Sequence, residues 1–260
     1  MQEMDSGERQ HAATRAARLL ERADECDVDV AELNQLLGSD MDLALRTQLL
    51  LADVLEASGD EVAGWKVGLT SGAAHDMMGR GVRPFGHIPR SRILPSGAHL
   101  AITGPHDLGI EPEIALRISR DIHEPIRPED VSDSLNSVHA AFEINQFRLG
   151  PDRSHASLVA DNLTHWGVVL GPGVAPTPDP HLDPVRVDHN QEHLGAFLPS
   201  PMDHPYRSLA ALTSQLARFG RHLRAGDVVI TGSFSRHDLV RGDVWTAEFT
   251  RLPSTVTVTW

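Results

Sequence analysis

The chain has 260 residues, enough for one large domain or one domain with a smaller appendage, and its 40% hydrophobic and 23% charged residues are ordinary for a globular protein. A formal net charge of −13 argues against a nucleic-acid surface, which needs clustered Lys and Arg, and gives no support to an anionic-membrane patch. The single cysteine, Cys26, excludes an internal disulfide and a multi-cysteine zinc site and fits a reducing cytoplasm.

In chain order, the acidic start MQEMDSGERQ lacks the basic and apolar stretches of a secretory signal, and no window has the run of about 18 apolar residues that a membrane span needs. Residues 8–58 read as helical: the Ala12–Leu20 stretch is rich in helix formers, Met41–Ala57 carries an apolar stripe, and Gly59 sits where a helix ends. This predicts an N-terminal helical region over residues 1–60, packed on a β-rich catalytic domain over 61–260. From Gly64 onward, short β-prone runs alternate with Gly and Pro turns, as in WKVGL, EIALRIS, WGVVLG, DVVIT and VTVTW, so the fold class is α+β with a mixed or antiparallel β core. Residues 185–197 predict a hairpin, and 176–180 a surface loop. Ser208 is a plausible N-cap for a helix striped by Leu209, Leu212, Leu216, Phe219 and Leu223, and the apolar run Val228–Ile230 follows as a strand.

Four segments offer chemistry. In Gly109–Leu116 a strand would put Glu111 and Glu113 on one face, where two carboxylates repel unless a cation lies between them; a solvated acidic edge is the alternative. Glu143, inside the apolar run AAFEI, is a third carboxylate that is costly to bury unless coordinated, or else a surface group paired with Arg148. Lys66, between Trp65 and Val67, is either partly buried for acid–base or anion-binding work or lifts its head into water. Asp161 and Asn162 either cap a turn or orient substrate or water. His189 and His193 have zinc-ligand spacing only on a helix, and their segment reads as a hairpin. No GxSxG elbow or dinucleotide loop is present, and Gly232–His237 is a loop candidate containing Ser233, Arg236 and His237.

Taken together and in order, GWKVGLTS, PFGHI, GIEPEIAL, AAFEI, LVADN, LARFGRHLRAGDVVITGS and RGD resemble the 2-keto-4-pentenoate hydratase family of the fumarylacetoacetate hydrolase superfamily, which also contains the 4-oxalocrotonate decarboxylases; the resemblance covers residues 45–260. It implies the mixed β roll of that superfamily behind a small helical region, a homo-oligomer, and Mg²⁺ or Mn²⁺. The family's metal carboxylates fall on Glu111, Glu113 and Glu143, and its lysine falls on Lys66. Two positions depart from the pattern: the acid that hydratases carry before the aromatic-Gly pair is Pro84 here, and the acid following the third metal Glu is missing from Glu143-Ile144-Asn145-Gln146. The decarboxylases also lack the first of these acids.

The resemblance thus implies a hydro-lyase acting on a 2-hydroxy-2,4-dienoate or its 2-oxo tautomer. Lys66 would move a proton or hold the carboxylate, Asp161 would position water, and His237 would replace the base absent at Pro84. The alternative is decarboxylation of a vinylogous 2-oxo diacid, in which Arg83 or Arg236 takes the second carboxylate and Asn162 and Ser233 contact substrate; tautomerisation or C–C hydrolysis would be variants of the same metal chemistry. A non-enzymatic scaffold would have no use for three such carboxylates and the lysine.

Overall fold

The computed structural model describes residues 5–23, 27–73, 75–102, 107–177, 184–197, 203–249, 252 and 254–260. Cys26 and residues 178–180 of the expected 176–180 loop lie outside the described residues.

The helical expectation resolves into three helices, each started by an aspartate. In α1 (Ser6–Glu21) the Asp5 carboxylate accepts from the Gly7 and Glu8 backbone, and Glu8 reaches back to the Asp5 N–H, a capping box. In α2 (Val30–Leu37) and α3 (Met41–Ala57), Asp29 and Asp40 accept from the backbone N–H three residues on.

The strands follow as β1 (Val62–Val67), β2 (Phe85–Pro89), β3 (Ile93–Pro95), β4 (Ala98–His99), β5 (Leu108–Ile118) and β6 (Leu135–Gln146). After the short helix α4 (His155–Ala160) come β7 (His165–Val174), β8 (Val185–His189) and β9 (Glu192–Phe197). Helix α5 (Pro205–Arg218) is followed by β10 (Val228–Ser233), β11 (His237–Leu239), β12 (Val244–Phe249) and β13 (Ser254–Thr259). The larger sheet runs β2-β1-β10-β5-β6-β7-β3, with β11 continuing the edge of β5, and the smaller runs β4-β13-β12-β8-β9. Parallel pairs (β1 with β10, β3 with β7) join antiparallel ones, as expected for a mixed sheet. The β8–β9 hairpin turns through Asn190 and Gln191, both at positive φ, the conformation of a tight hairpin turn.

The larger sheet curls until β2 approaches β7, so its two faces meet different environments. The outer face carries the main core: Ile110, Leu116, Phe142 and Ile144 pack with the helices and with Val256, Val258 and Trp245 of the smaller sheet. The inner face holds a second, smaller core of Ile88, Ala115, Ala141, Val168, Val228 and Ile230. Because side chains alternate along a strand, Ala115, Glu113 and Glu111 share that inner face.

One boundary differs from the sequence expectation. Helix α5 begins at Pro205, whose fixed φ suits the first helical position, and His204 is the N-cap, its ring accepting from the Tyr206 N–H at 3.2 Å. Ser208 is instead a buried interior residue that donates to the Thr231 carbonyl at 3.1 Å. Leu223 lies past the helix, where its carbonyl accepts from the Ile122 N–H.

Candidate metal and substrate site

The antiparallel register of β5 and β6 sets Glu111 directly opposite Glu143, and Glu113 follows two residues along β5 on the same face. One carboxylate oxygen from each of the three lies within 4.8 Å of the others. Glu113 and Glu143 are buried and Glu111 is slightly exposed. On the other side of Glu113, Ser233 of β10 is its cross-strand partner, and the Gly232 N–H donates to Glu113 Oε2 at 2.8 Å. Lys66, on the same inner face of β1, brings Nζ to 2.6 Å from Glu143 Oε1 and donates to the Leu163 carbonyl at 3.2 Å. Gly86 lies opposite Lys66 on β2, and a side chain there would meet the lysine's Cγ at 3.1 Å and Asn162 Oδ1 at 2.7 Å, so glycine leaves room for the stem. These groups line one cavity of about 410 Å³ together with Gly68–Ser71 and the Gly232–Arg236 loop.

The charges are strongly coupled. Burial, then the neighbouring Glu143 carboxylate, push Glu111 up to about 7 against the pull of Lys66 and Arg236. The same two causes push Glu113 well above the ordinary carboxylate range. Burial also opposes the charge on Glu143, but Lys66 and His165 outweigh it and hold its carboxyl down at about 2. Lys66 is raised because the three carboxylates, Glu143 first, overcome its burial. Fully ionised, the three carboxylates would outnumber the one ammonium, so without a cation the site holds protons, and a hard cation would take their place. Within Glu143 the two oxygens are divided: Oε1 meets both Lys66 and His165, whereas Oε2 is buried without a hydrogen-bond partner. A buried acceptor with no partner is costly, and a metal ion is a partner that such an oxygen can take. The all-oxygen donor set fits Mg²⁺ or Mn²⁺.

Of the residues singled out by sequence, Lys66, Ser233, Arg236 and the three glutamates meet at this cavity. The Arg236 guanidinium lies over the Phe147 ring at 4.5 Å, with Nε 3.4 Å from Glu111 Oε1, and is half exposed at the mouth. The other four are placed elsewhere. Arg83 is 2% exposed and already engaged, donating to Asp203 Oδ2 and the His75 carbonyl, both at 2.6 Å. Asp203 in turn donates its N–H to the carbonyl of the cavity residue Thr70, so Arg83 braces the wall from behind. Asp161 pairs with Arg148. His237 packs against Trp245 and Phe197, and its Nε2 lies 2.9 Å from the Oγ of the cavity residue Ser235. Asn162 is a structural clamp: Oδ1 accepts from the His87 N–H at 2.8 Å and from Gln48 Nε2 at 3.0 Å, and Nδ2 donates to the His87 carbonyl at 2.9 Å.

That clamp holds an unusual turn. Asn162, Leu163 and Thr164 are all at positive φ, a left-handed run that costs non-glycine residues roughly 1–2 kcal/mol each. Its product is the Leu163 carbonyl presented to Lys66 Nζ. His165, the next residue, went unremarked in the sequence because nothing local distinguishes it. Burial keeps its pKa below the ordinary value, and as a neutral ring facing a carboxylate it donates Nδ1–H to Glu143 Oε1 at 2.7 Å. His189 and His193 do not converge: His189 stacks on Trp245 and reaches Asp243, and His193 reaches Asp188.

Residues 82–258 match the family model for the fumarylacetoacetate (FAA) hydrolase C-terminal domain. The chain is 30% identical to a 2-keto-4-pentenoate hydratase of Burkholderia vietnamiensis over 75% of this chain and 77% of that one. It is 29% identical to a 2-hydroxyhexa-2,4-dienoate hydratase of Comamonas testosteroni over 74% and 75% of the two chains. In fold it is similar to the 4-oxalocrotonate decarboxylase of Pseudomonas putida G7 complexed with magnesium and adipate, with a TM-score of 0.83 at 22% identity over 100% and 99% of the two chains.

Proposed function

The chain belongs to the fumarylacetoacetate hydrolase family, and from that premise we propose that it is a divalent-metal-dependent lyase, a hydratase of a small 2-hydroxy-2,4-dienoate or its 2-oxo tautomer. The observation that carries this reading is the convergence of Glu111, Glu113, Glu143 and Lys66 on one cavity, with Glu143 Oε2 buried and unpartnered. Bound by those three carboxylates, Mg²⁺ or Mn²⁺ supplies Lewis acidity for a 2-oxo acid. The protein's own part is positional and electrostatic. The β5–β6 register fixes the three carboxylates, and the Gly232 N–H fixes the orientation of Glu113. Lys66, kept charged by its neighbours, stands 2.6 Å from Glu143, where its ammonium holds a substrate carboxylate or hands a proton to the developing carbanion. Arg236 offers a half-exposed cation at the mouth for the distal end of an anionic substrate.

One observation favours the decarboxylase reading of the same site. Among the described residues lining the cavity, the three glutamates are the only carboxylates and no histidine is present; His237 touches the lining only through Ser235 Oγ, 2.9 Å from its Nε2, so no base faces the cavity directly to activate water. Loss of CO₂ needs no such base, and Arg236 suits a second carboxylate. The two are separated by incubating protein and Mg²⁺ with 2-hydroxypenta-2,4-dienoate and, separately, with 2-oxohex-3-enedioate. Decay of dienol absorbance without CO₂, with the 4-hydroxy-2-oxo acid as product, establishes hydration, CO₂ release establishes decarboxylation, and inertness toward both rejects the proposal. The same reading takes the enzyme as a cytoplasmic homo-oligomer, supported by the family resemblance and the lone cysteine; a monomer mass by light scattering would overturn the oligomer. Among the described residues no helix is long and apolar enough to cross a membrane.

A further inference from the structure

We propose that Asp121, His123 and His222 form a second cation site, selective for an imidazole-preferring divalent ion such as Zn²⁺, which clips the chain leaving β5 to the chain entering β10. The site shares no residue with the glutamate cavity and does not depend on the proposed lyase activity.

The placement follows from one isolated antiparallel bridge. Ile122 pairs with Leu223, the Ile122 N–H donating to the Leu223 carbonyl at 2.8 Å, and both side chains are buried. Alternation along extended chain sends the flanking residues the other way, and the antiparallel register sets His123 across from His222. The two rings are 4.2 Å apart, centroid to centroid. Asp121, two residues before His123 and so on the same side, has its Oδ1 held by the Ala225 N–H at 2.8 Å. One ligand atom from each of the three lies within 4.8 Å of the others. Asp121 and His123 are exposed and His222 is half-buried, so a hydrated ion reaches all three. Arg224, the neighbouring cation, has a guanidinium nitrogen 3.8 Å from Glu56.

The donor set decides the ion. Two imidazole nitrogens and one carboxylate oxygen are the ligands of Zn²⁺ and its late first-row neighbours, whereas Mg²⁺ and Mn²⁺ prefer all-oxygen sites such as the glutamate triad. With metal–nitrogen bonds of about 2.0–2.1 Å, tetrahedral ligand atoms stand ~3.4 Å apart, and side-chain rotations on a fixed backbone, chiefly of the exposed Asp121 and His123, supply the remaining closure. Three protein ligands leave the fourth position to water.

The test is Zn²⁺ binding by the whole chain under saturating Mg²⁺, followed by calorimetry and by the thermal midpoint. The expected result is one Zn²⁺ per chain and a rise in midpoint, both retained in Glu113→Gln and both lost in His123→Ala and in His222→Ala, with affinity down at least tenfold. A readout free of any variant is Co²⁺ added to the native protein under the same Mg²⁺, which should shift the ring resonances of two histidines. Equal Zn²⁺ affinity in the two histidine variants, loss of Zn²⁺ in Glu113→Gln, or no Zn²⁺ bound under Mg²⁺ would each overturn the proposal.

Discussion

At the scale of single residues, the decisive feature is how Glu143 divides its two oxygens. Lys66 and His165 occupy Oε1, which leaves Oε2 for a metal ion. Removing a group that orients a metal ligand typically costs 10–100-fold in affinity. His165→Leu should therefore weaken Mn²⁺ binding by about that factor while the circular dichroism stays native, and His165→Asn, whose amide still donates, should lose less; equal losses would deny the ring its orienting role. Glu113→Ala should abolish Mg²⁺-dependent turnover, and unaffected turnover would refute the metal assignment. Protonation provides a second check. With Glu111 raised to about 7 and Glu113 held well above the ordinary carboxylate range, the cation-free protein carries bound protons at neutral pH, and a metal must displace them. Apparent Mg²⁺ affinity should rise with pH through 7, and calorimetry in buffers of different ionisation enthalpy should show proton release; identical enthalpies would contradict this. Glu111, Glu113, Glu143 and Lys66 stood out in the sequence as charged residues within apolar or β-prone runs, but those runs left solvated alternatives open, and it was the family resemblance that pointed to their roles. His165 was not, since its partner is 22 positions away on another strand and no local pattern announces it.

At the scale of elements, the turn after α4 shows how a polar pair can be recognised as a cap while its distant partners stay out of sight. From the residues alone Asp161 and Asn162 read slightly better as a turn cap than as groups that orient substrate or water, and in the structure Asp161 takes the cap position of the turn while Asn162 locks a left-handed run whose Leu163 carbonyl faces Lys66. Its partners Gln48 and His87 are 114 and 75 positions away, beyond the reach of any local motif. Asn162→Ala removes a residue that tolerates positive φ and leaves the buried His87 N–H unpaired. A destabilisation of about 2 kcal/mol or more should appear in urea unfolding, with turnover falling further than metal affinity; unchanged stability would mean the turn is held by something else. Helix α5 shows the opposite case. Its apolar stripe was legible, but Ser208 looked like a cap because serine caps helices often, whereas Pro205 at the first turn started the helix earlier.

At the scale of the whole molecule, the curl of the larger sheet makes the site. An inner face of small and branched residues, Ala115, Ala141, Val168, Val228 and Ile230, ends in the cluster of charge. The strands and the hairpin were legible from alternation and turn residues, but the order β2-β1-β10-β5-β6-β7-β3 was not, because pairing partners far apart in sequence leave no periodic trace. Closure also buries His87, and burial first, then nearby His165 and Arg92, depress its pKa to about 3. Between that value and the ordinary 6.5 the unfolded chain binds a proton that the fold refuses. Stability from this group is therefore complete above about pH 6.5 and is lost progressively as pH falls toward 3, on the order of a few kcal/mol. Urea midpoints measured across that range should fall on acidification in the native protein and less steeply in His87→Gln; parallel curves would assign the loss elsewhere. The central claim, that the β5–β6 register brings Glu111, Glu113 and Glu143 to one ion on the inner face of the curled sheet, is tested most directly by anomalous diffraction from crystals soaked in Mn²⁺. The account predicts a manganese peak within bonding distance of an oxygen from each of the three carboxylates; no peak among them in a fully soaked crystal would contradict it.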